Sequence, residues 1–239
     1  MTSVSPSYGR LEADEVRAMF DRIAAWYDAF NATMTLGLHH QWRERAADIA
    51  NVQPGDRVLD VATGTGDLAL ALARRVGPTG EVRGCDISDG MLLRARSKNT
   101  MPDSLHFEQA DALQLPYTSD SFAAATVGFG ARNFADLGAG LREMARVVRP
   151  GGRVVMLEIA IPTKPPLSSL LRVWFDWLMP GLGWLGGHPH PRYLPTSVQR
   201  FPRPASAAQE LANVGLVDVR YVITAGGIIA IHAGTVAAG

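Results

Sequence analysis

Apolar positions along this chain do not keep one period. From Glu12 to Asn31 the residues Val16, Met19, Phe20, Ile23, Trp26, Tyr27 and Phe30 recur at helical spacing, which predicts one helix. A second helix is predicted over Gln41 to Ala50, ended by Pro54-Gly55. Arg57 to Val61 is instead a short apolar run, read as a buried strand. It enters the glycine-rich Ala62-Thr63-Gly64-Thr65-Gly66 and then a helix reaching Val76. Alternation continues with a strand over Glu81 to Cys85 and a helix over Ser88 to Lys98, Ser88 serving as N-cap. Strands are predicted at Leu105 to Gln109 and Phe122 to Val127, and a helix at Asp136 to Val148 with Asp136 as its N-cap. Pro150-Gly151-Gly152 then turns into a strand over Arg153 to Glu158. Strands separated by helical patterns predict a parallel sheet with helices on both faces.

The C-terminal third reads differently. Pro162 to Pro166 is a linker, Leu167 to Leu178 a helix rich in Trp and Leu, and Gly181 to Pro195 a loop. Ala205 to Val214 is predicted helical. Leu216 to Ile223 and Gly227 to Ala233 are predicted to form a hairpin at the sheet edge, adding one antiparallel strand. The expectation is an α/β fold: a mostly parallel, doubly wound sheet with one antiparallel edge strand and an N-terminal helical cap. A disordered lead-in over 1–10 would precede a single domain over 11–239, with the cap at 11–50 and an insertion on the acceptor side at 160–200.

Composition narrows the function classes. Apolar residues make up 47% of the 239, enough for a sizeable core, and Lys+Arg equals Asp+Glu at 23 each. That balance gives no case for a nucleic-acid partner. The single cysteine, Cys85, excludes an internal disulfide, disfavours a cysteine-ligated metal, and sits on a predicted buried strand where it would be inert. Met1 to Arg10 lacks the apolar core of a signal peptide. Leu167 to Leu185 is interrupted by Arg172, Asp176 and Pro180, whereas a bilayer span needs about 20 mostly apolar residues. A cytoplasmic protein is expected. His188-Pro189-His190 has no evident third ligand, so it reads as a proline-rich loop and no metal is expected.

The sharpest chemical signal is Asp60-Val61-Ala62-Thr63-Gly64-Thr65-Gly66-Asp67 at a strand-to-helix turn, where glycines let backbone approach a ligand closely. Gly64-x-Gly66-x-x-Ala69 also satisfies the dinucleotide fingerprint, with Asp86 placed 20 residues past Gly66, so a nicotinamide oxidoreductase is the competing reading. Asp60 weighs against it, because a carboxylate beside the loop opposes a pyrophosphate. The same carboxylate favours S-adenosyl-L-methionine, which carries an ammonium and a sulfonium and no phosphate. Asp86 can accept from both ribose hydroxyls, and Asp111, in Asp111-Ala112-x-x-Leu115-Pro116, can accept from an adenine amino group. Each aspartate alone could be a cap or turn residue. Three of them, at the ends of successive predicted strands, make a cofactor site.

Further blocks carry a family resemblance. Tyr27-Asp28-x-x-Asn31 with Leu36-Gly37-x-His39-x-x-Trp42-Arg43, then Gly128-Phe129-Gly130-Ala131-Arg132-Asn133, and Arg149-Pro150-Gly151-Gly152-Arg153 through Glu158-Ile159 resemble the menaquinone/ubiquinone C-methyltransferases. So do Arg192-Tyr193-Leu194-Pro195-x-Ser197-Val198, Phe201-Pro202 and Thr224-Ala225-Gly226-Gly227 with Ala230 and His232, so the match runs from about Val16 to Gly234. The resemblance implies a Rossmann-like class I methyltransferase acting on a quinol ring, demethylmenaquinol above all. It implies cofactor contacts at Thr65, Asp86, Asp111 and Ala112, with Gly128 where the family often has serine. It also implies an apolar quinol partner met at the inner face of the membrane. His188-Pro189-His190-Pro191 departs from the family pattern beside the expected acceptor. A different phenolic or polyketide-like acceptor is therefore the neighbouring reading.

Methylating a ring carbon requires charge on the ring, and an unperturbed phenol has a pKa of about 10. Arg132, a permanent cation past the fourth strand, is the first candidate to stabilise the phenolate, unless it pairs with an acid such as Asp136. Asn133 is a candidate donor to the acceptor oxygen, His39 and His40 are candidate bases, and Tyr193 is a candidate pocket residue. Tyr27 reads as core or as cover over the cofactor. Trp174, Trp177, Leu170 and Leu178 read as core or as the wall of an apolar channel.

Overall fold

The computed structural model describes residues 13–98, 102–162 and 193–238. Its strands are β1 (Arg57–Val61), β2 (Glu81–Asp86), β3 (Leu105–Gln109), β4 (Phe122–Gly128), β5 (Val148–Ile159), β6 (Leu216–Thr224) and β7 (Ile229–Val236). They form one sheet in the order β3-β2-β1-β4-β5-β7-β6. The first five pair in parallel, and β7 pairs antiparallel with both β5 and β6. The one antiparallel strand is therefore β7, held between β5 and the outermost β6 at the end of the sheet where the sequence placed a hairpin.

The helices are α1 (Ala13–Ile23), α2 (Tyr27–Thr35), α3 (Leu38–Ala50), α4 (Asp67–Val76), α5 (Asp89–Arg96), α6 (Leu137–Val147), α7 (Tyr193–Arg200) and α8 (Pro204–Asn213). The two predicted caps are in place. Ser88 Oγ accepts from Met91 N at 3.1 Å, and Asp136 Oδ1 accepts from Ala139 N at 2.9 Å. Each satisfies an N–H that the first helical turn leaves without a partner.

Two elements differ from the sequence pattern. The single helix expected over Glu12 to Asn31 breaks at Ala24–Trp26, where Trp26 N bonds Ile23 O at 3.1 Å. The break lets Ile23 and Ala24 pack on Met91 while Trp26 meets the Phe30 ring edge-on at 5.3 Å. The second is α7, whose first residues the sequence pattern predicts as the end of a loop. Pro195 lies in the helix's first turn, where a missing N–H costs nothing. The lead-in over 1–10, the expected helix Leu167 to Leu178 and most of the loop from Gly181 lie outside the described residues, as do His188 and His190.

Alternation along the strands builds a core on each face of the sheet. Val58 and Val82 face Ala46 and Ala47 of α3 and Leu72 of α4, while Leu59 and Val61 face Leu141 and Met144 of α6 and Leu211 of α8. Burial of both faces is why β1 reads as a continuous apolar run. Leu141, Met144 and Val147 lie on one side of α6 and are fully buried. Truncating one such leucine to alanine typically costs about 2–5 kcal/mol. With these faces locked, the carboxyl ends of the parallel strands present their loops along one edge.

Candidate active site

Backbone geometry at that edge is unusual at the ends of β1 and β4. Ala62 and Phe129 both take left-handed conformations, φ 50° and 61°, and Gly64 and Gly66 follow with φ 56° and 82°. A Cβ on Gly64 would point into open space, so bare backbone faces the cleft there. A Cβ on Gly130 would lie 2.6 Å from that of Ala62, so only glycine lets the two loops approach.

The aspartates organise this loop. Asp60 is wholly buried; its carboxylate accepts from Thr63 Oγ1 at 2.7 Å and Thr126 Oγ1 at 2.6 Å. Burial pushes its pKa up to about 6 despite those two hydroxyls. Asp86 accepts from Gly64 N at 2.8 Å and Ser88 N at 2.9 Å. Burial raises its pKa too, with the Ser88 and Gly64 N–H groups pulling the other way. Asp111, exposed, accepts from Leu113 N at 2.9 Å and so closes its own turn.

Two adjoining chambers share Phe20, Ala62, Asp86, Gly130 and Asn133 and make one cleft. Asp111 and Ala112 line the first chamber. Asp60, Gly64, Thr65, Asp67 and Gly128 line the second, with Tyr27 and Arg43. Gly66 begins α4 as its N-cap. The cofactor-site residues read from the sequence are thus brought together.

The N-terminal helices are tied over this cleft by charge. Asp21 of α1 accepts from Ser88 Oγ at 2.6 Å and Gly90 N at 2.9 Å. Asp28 of α2 accepts from Thr65 Oγ1 at 2.5 Å and pairs with Lys98 at 3.3 Å and Arg94 at 3.4 Å. Lys98 also meets Asp67 at 2.7 Å, and Arg43 lies 4.0 Å from the same carboxylate. Burial works against the Asp67 charge, but Arg43 and then Lys98 hold its pKa below the ordinary range.

The His39 and His40 rings lie 3.9 Å apart, tilted by 40°. His39 is buried and takes a hydrogen bond at Nδ1 from Arg43 Nη1 at 2.6 Å. Burial, then the Arg43 charge, lower its pKa to about 4. His40 is exposed and does not line the two chambers. His39, His40 and Asp67 bring potential ligand atoms within 4.8 Å of one another, but Arg43 and Lys98 already occupy that group with positive charge.

Past β4 the chain makes a 3₁₀ turn, Ala131–Asn133. Arg132 pairs with Glu158 of β5, not with Asp136: Nη1 meets Oε2 at 2.9 Å, with side-chain exposures of 7% and 1%. Burial opposes the guanidinium charge, and Glu158 more than compensates, raising the pKa. Asp136 is engaged as the cap of α6. Asn133 faces both chambers, and Tyr193 Oη donates to its Oδ1 at 2.8 Å. Cys85 is buried, and burial followed by the Asp86 and Asp60 charges raises its thiol well above the usual range, so it stays protonated.

Asp28, Arg43 and Glu158 entered the sequence reading only within motif blocks. Their signal was a charge where the pattern demands burial: Glu158 follows Met156-Leu157 and precedes Ile159 on a central strand, and Arg43 lies on the buried side of α3.

Comparison with known proteins agrees with this architecture. Residues 9–236 match the profile of the ubiE/COQ5 methyltransferase family. A demethylmenaquinone methyltransferase of Thermus thermophilus is 43% identical over 219 residues, covering 90% of this chain and 99% of its own. One from Desulfitobacterium hafniense is 38% identical over 231 residues, covering 95% and 91%. Among solved structures, the putative methyltransferase bound to the Haloferax volcanii Trm112 activator has a TM-score of 0.67 at 20% identity, covering 94% of this chain and 98% of its own. A SAM-dependent methyltransferase from Aquifex aeolicus has a TM-score of 0.61 at 16% identity, covering 81% and 89%. The chain therefore belongs to the ubiE/COQ5 methyltransferase family and is a methyltransferase.

Proposed function

We propose that this protein transfers the methyl group of S-adenosylmethionine to a ring carbon of a quinol, demethylmenaquinol above all. The observation that carries the cofactor half is the charge of the cleft. The Gly64 N–H, which a pyrophosphate would need, is already taken by the Asp86 carboxylate, and Asp60 is buried directly beneath the loop. A dinucleotide would meet repulsion there, whereas the ammonium, the sulfonium and the ribose hydroxyls of S-adenosylmethionine meet acceptors. Asp86 is assigned to the ribose, Asp111 and Ala112 to the adenine, and Asp60, Thr65 and Gly128 to the methionine end. Arg43, beside Asp67 and over the Phe129 ring at 5.2 Å, is the cation that would meet the methionine carboxylate.

When bound, this donor would supply an electrophilic methyl group: the carbon–methyl bond would form as the sulfur–methyl bond breaks to leave a neutral thioether, and the ring hydrogen would then be lost as a proton to solvent, which restores aromaticity. The protein's part is to favour the acceptor anion and hold it in line. Arg132 stays charged beside Glu158, and Asn133 presents its amide to the cleft. Burial keeps the Tyr193 phenol protonated, with Arg132 pulling the other way, and its one hydrogen goes to Asn133 Oδ1, so its part is to hold that amide in place. His39 is too weak a base to take a phenolic proton. The cluster lowers the cost of the phenolate.

An apolar acceptor also implies contact with a lipid surface. Among the described residues no helix is long and apolar enough to cross a membrane, so that contact would be peripheral. The experiment is direct. Purified protein is incubated with methyl-labelled S-adenosylmethionine and a panel of demethylmenaquinols, benzoquinols and simple phenols. Label on the demethylmenaquinol ring carbon is expected. Label only on another phenol or polyketide would move the acceptor assignment, and no transfer to any of them would end the proposal.

A further inference from the structure

We propose that Glu158 is the positioning residue that aims Arg132 at the acceptor oxygen. This rests on the reading that Arg132 meets that oxygen, and it adds a residue that has no contact of its own with the substrate in that reading.

The geometry is a two-handed grip. Glu158 Oε2 accepts from Arg132 Nη1 at 2.9 Å, while Oε1 accepts from the backbone N of the same arginine at 3.2 Å. One carboxylate therefore holds both the main chain and the guanidinium of Arg132. The carboxylate is itself braced by Ile159 N, which donates to Oε2 at 3.1 Å, and it stands on a central strand paired on both sides. Nη1 has a second acceptor in Phe129 O at 2.5 Å, so both its hydrogens are committed and the plane of the guanidinium is fixed.

What the grip leaves is informative. Arg132 Nε is buried without a hydrogen-bond partner, although the side chain is only 7% exposed. A buried N–H without an acceptor is a cost that native structures rarely carry without a reason. Arg132 itself lines neither chamber, but the next residue, Asn133, lines both, so a small shift of that wall would bring an acceptor oxygen in the cleft within reach of the unpartnered N–H. Glu158 also balances the guanidinium charge, so Arg132 acts as a directed donor and not as a free cation open to any anion. The planar fork makes this aim possible, because fixing one nitrogen fixes the direction of the others.

The test is a double-mutant cycle on the full chain, with turnover at saturating S-adenosylmethionine and demethylmenaquinol, cofactor affinity by calorimetry, and a melting curve for each variant. Glu158→Gln keeps the side chain's size and removes its charge, and should lower kcat by about 10- to 100-fold, the order expected when a reacting group is misplaced by about 1 Å. Cofactor affinity should stay within about twofold, because Glu158 lines neither chamber of the cleft. In an Arg132→Ala background the same substitution should cost less than about twofold, since a residue acting only through Arg132 has nothing left to aim. Glu158→Asp keeps the charge but draws the carboxylate back, so it should also be slow while melting close to wild type. That variant carries the test if the glutamine form fails to fold.

A Glu158 loss as large in the Arg132→Ala background as in the wild type overturns the proposal, as does a folded Glu158→Asp protein with unchanged kcat. Wild-type turnover in Arg132→Ala alone overturns the parent reading, a separate result. A merely structural Glu158 would lower the melting temperature and leave kcat, measured well below it, untouched.

Discussion

Asp60 is a cleft residue whose protonation the fold controls. Its folded pKa of about 6 lies above the unpaired carboxylate value because burial disfavours the charge. The sign for stability follows. The folded state holds this proton more tightly, so the group's stabilising contribution is full below about pH 4 and is lost as pH rises through about 6. A ligand ammonium placed near it reverses the preference and expels the proton. Calorimetry of S-adenosylmethionine binding in buffers of different ionisation heat should therefore show release of about half a proton at pH 6. The release should fade at pH 8 and vanish in Asp60→Asn. A buffer-independent heat at pH 6 would remove the ammonium from the neighbourhood of Asp60. The aspartates at strand ends were legible in the sequence because glycine spacing and strand order place them together. The partner of Arg132 was not. Asp136 is near in sequence, whereas Glu158 becomes a neighbour only because β4 and β5 pair in parallel with Gly128 opposite Leu157.

At the scale of elements, the N-terminal cap is held by polar ties as well as a small apolar cluster. Ile23, Ala24 and Met91 form that cluster, and Asp21 and Asp28 supply the ties to the starts of α5 and α4. Asp28→Ala removes the Thr65 bond and two ion pairs while leaving both sheet cores intact. It should weaken S-adenosylmethionine binding by roughly 1–2 kcal/mol, the order of a charge-assisted hydrogen bond. Amide exchange over α1 and α2 should quicken without change in β1, β4 or β5. Unchanged exchange in the cap would show that the apolar contacts hold it alone. Element type was largely readable because burial on both sheet faces imposes its own pattern. The break at Ala24–Trp26 was not, since it goes with a tertiary cluster of Ile23 and Ala24 on Met91 that local periodicity does not carry. Nor was α7, where the flanking prolines and glycines mask a helix whose proline happens to fall in the first turn.

For the whole molecule, balanced charge bears on how it could meet an apolar acceptor, and among the described residues no helix is long and apolar enough to cross a membrane. With Lys+Arg and Asp+Glu equal at 23, attraction to anionic lipid has no net source. Exposed apolar side chains do occur at the edge where the strands' carboxyl ends open, among them Leu36 at 88% and Ile161 at 44% exposure. Flotation with liposomes should show weak association that is insensitive to salt. Binding that disappears at high ionic strength would require an electrostatic anchor instead. The sheet itself carries another consequence, in the order of its assembly. β6 comes before β7 in the chain yet touches β5 only through it. A growing chain that has reached Thr224 thus has an outer strand that can pack on α8 but has no neighbouring strand to pair with. β5, already complete, shows an unsatisfied edge ending in the carboxylate that grips Arg132. The strand that fills this gap brings Ala230 opposite Glu158 and Ile231 opposite Leu157. Closing the last gap in the sheet and giving the strand that carries Glu158 its second neighbour are a single event, so a chain stalled before β7 would display the glycine loop after β1 while the strand that grips Arg132 was still open along one side.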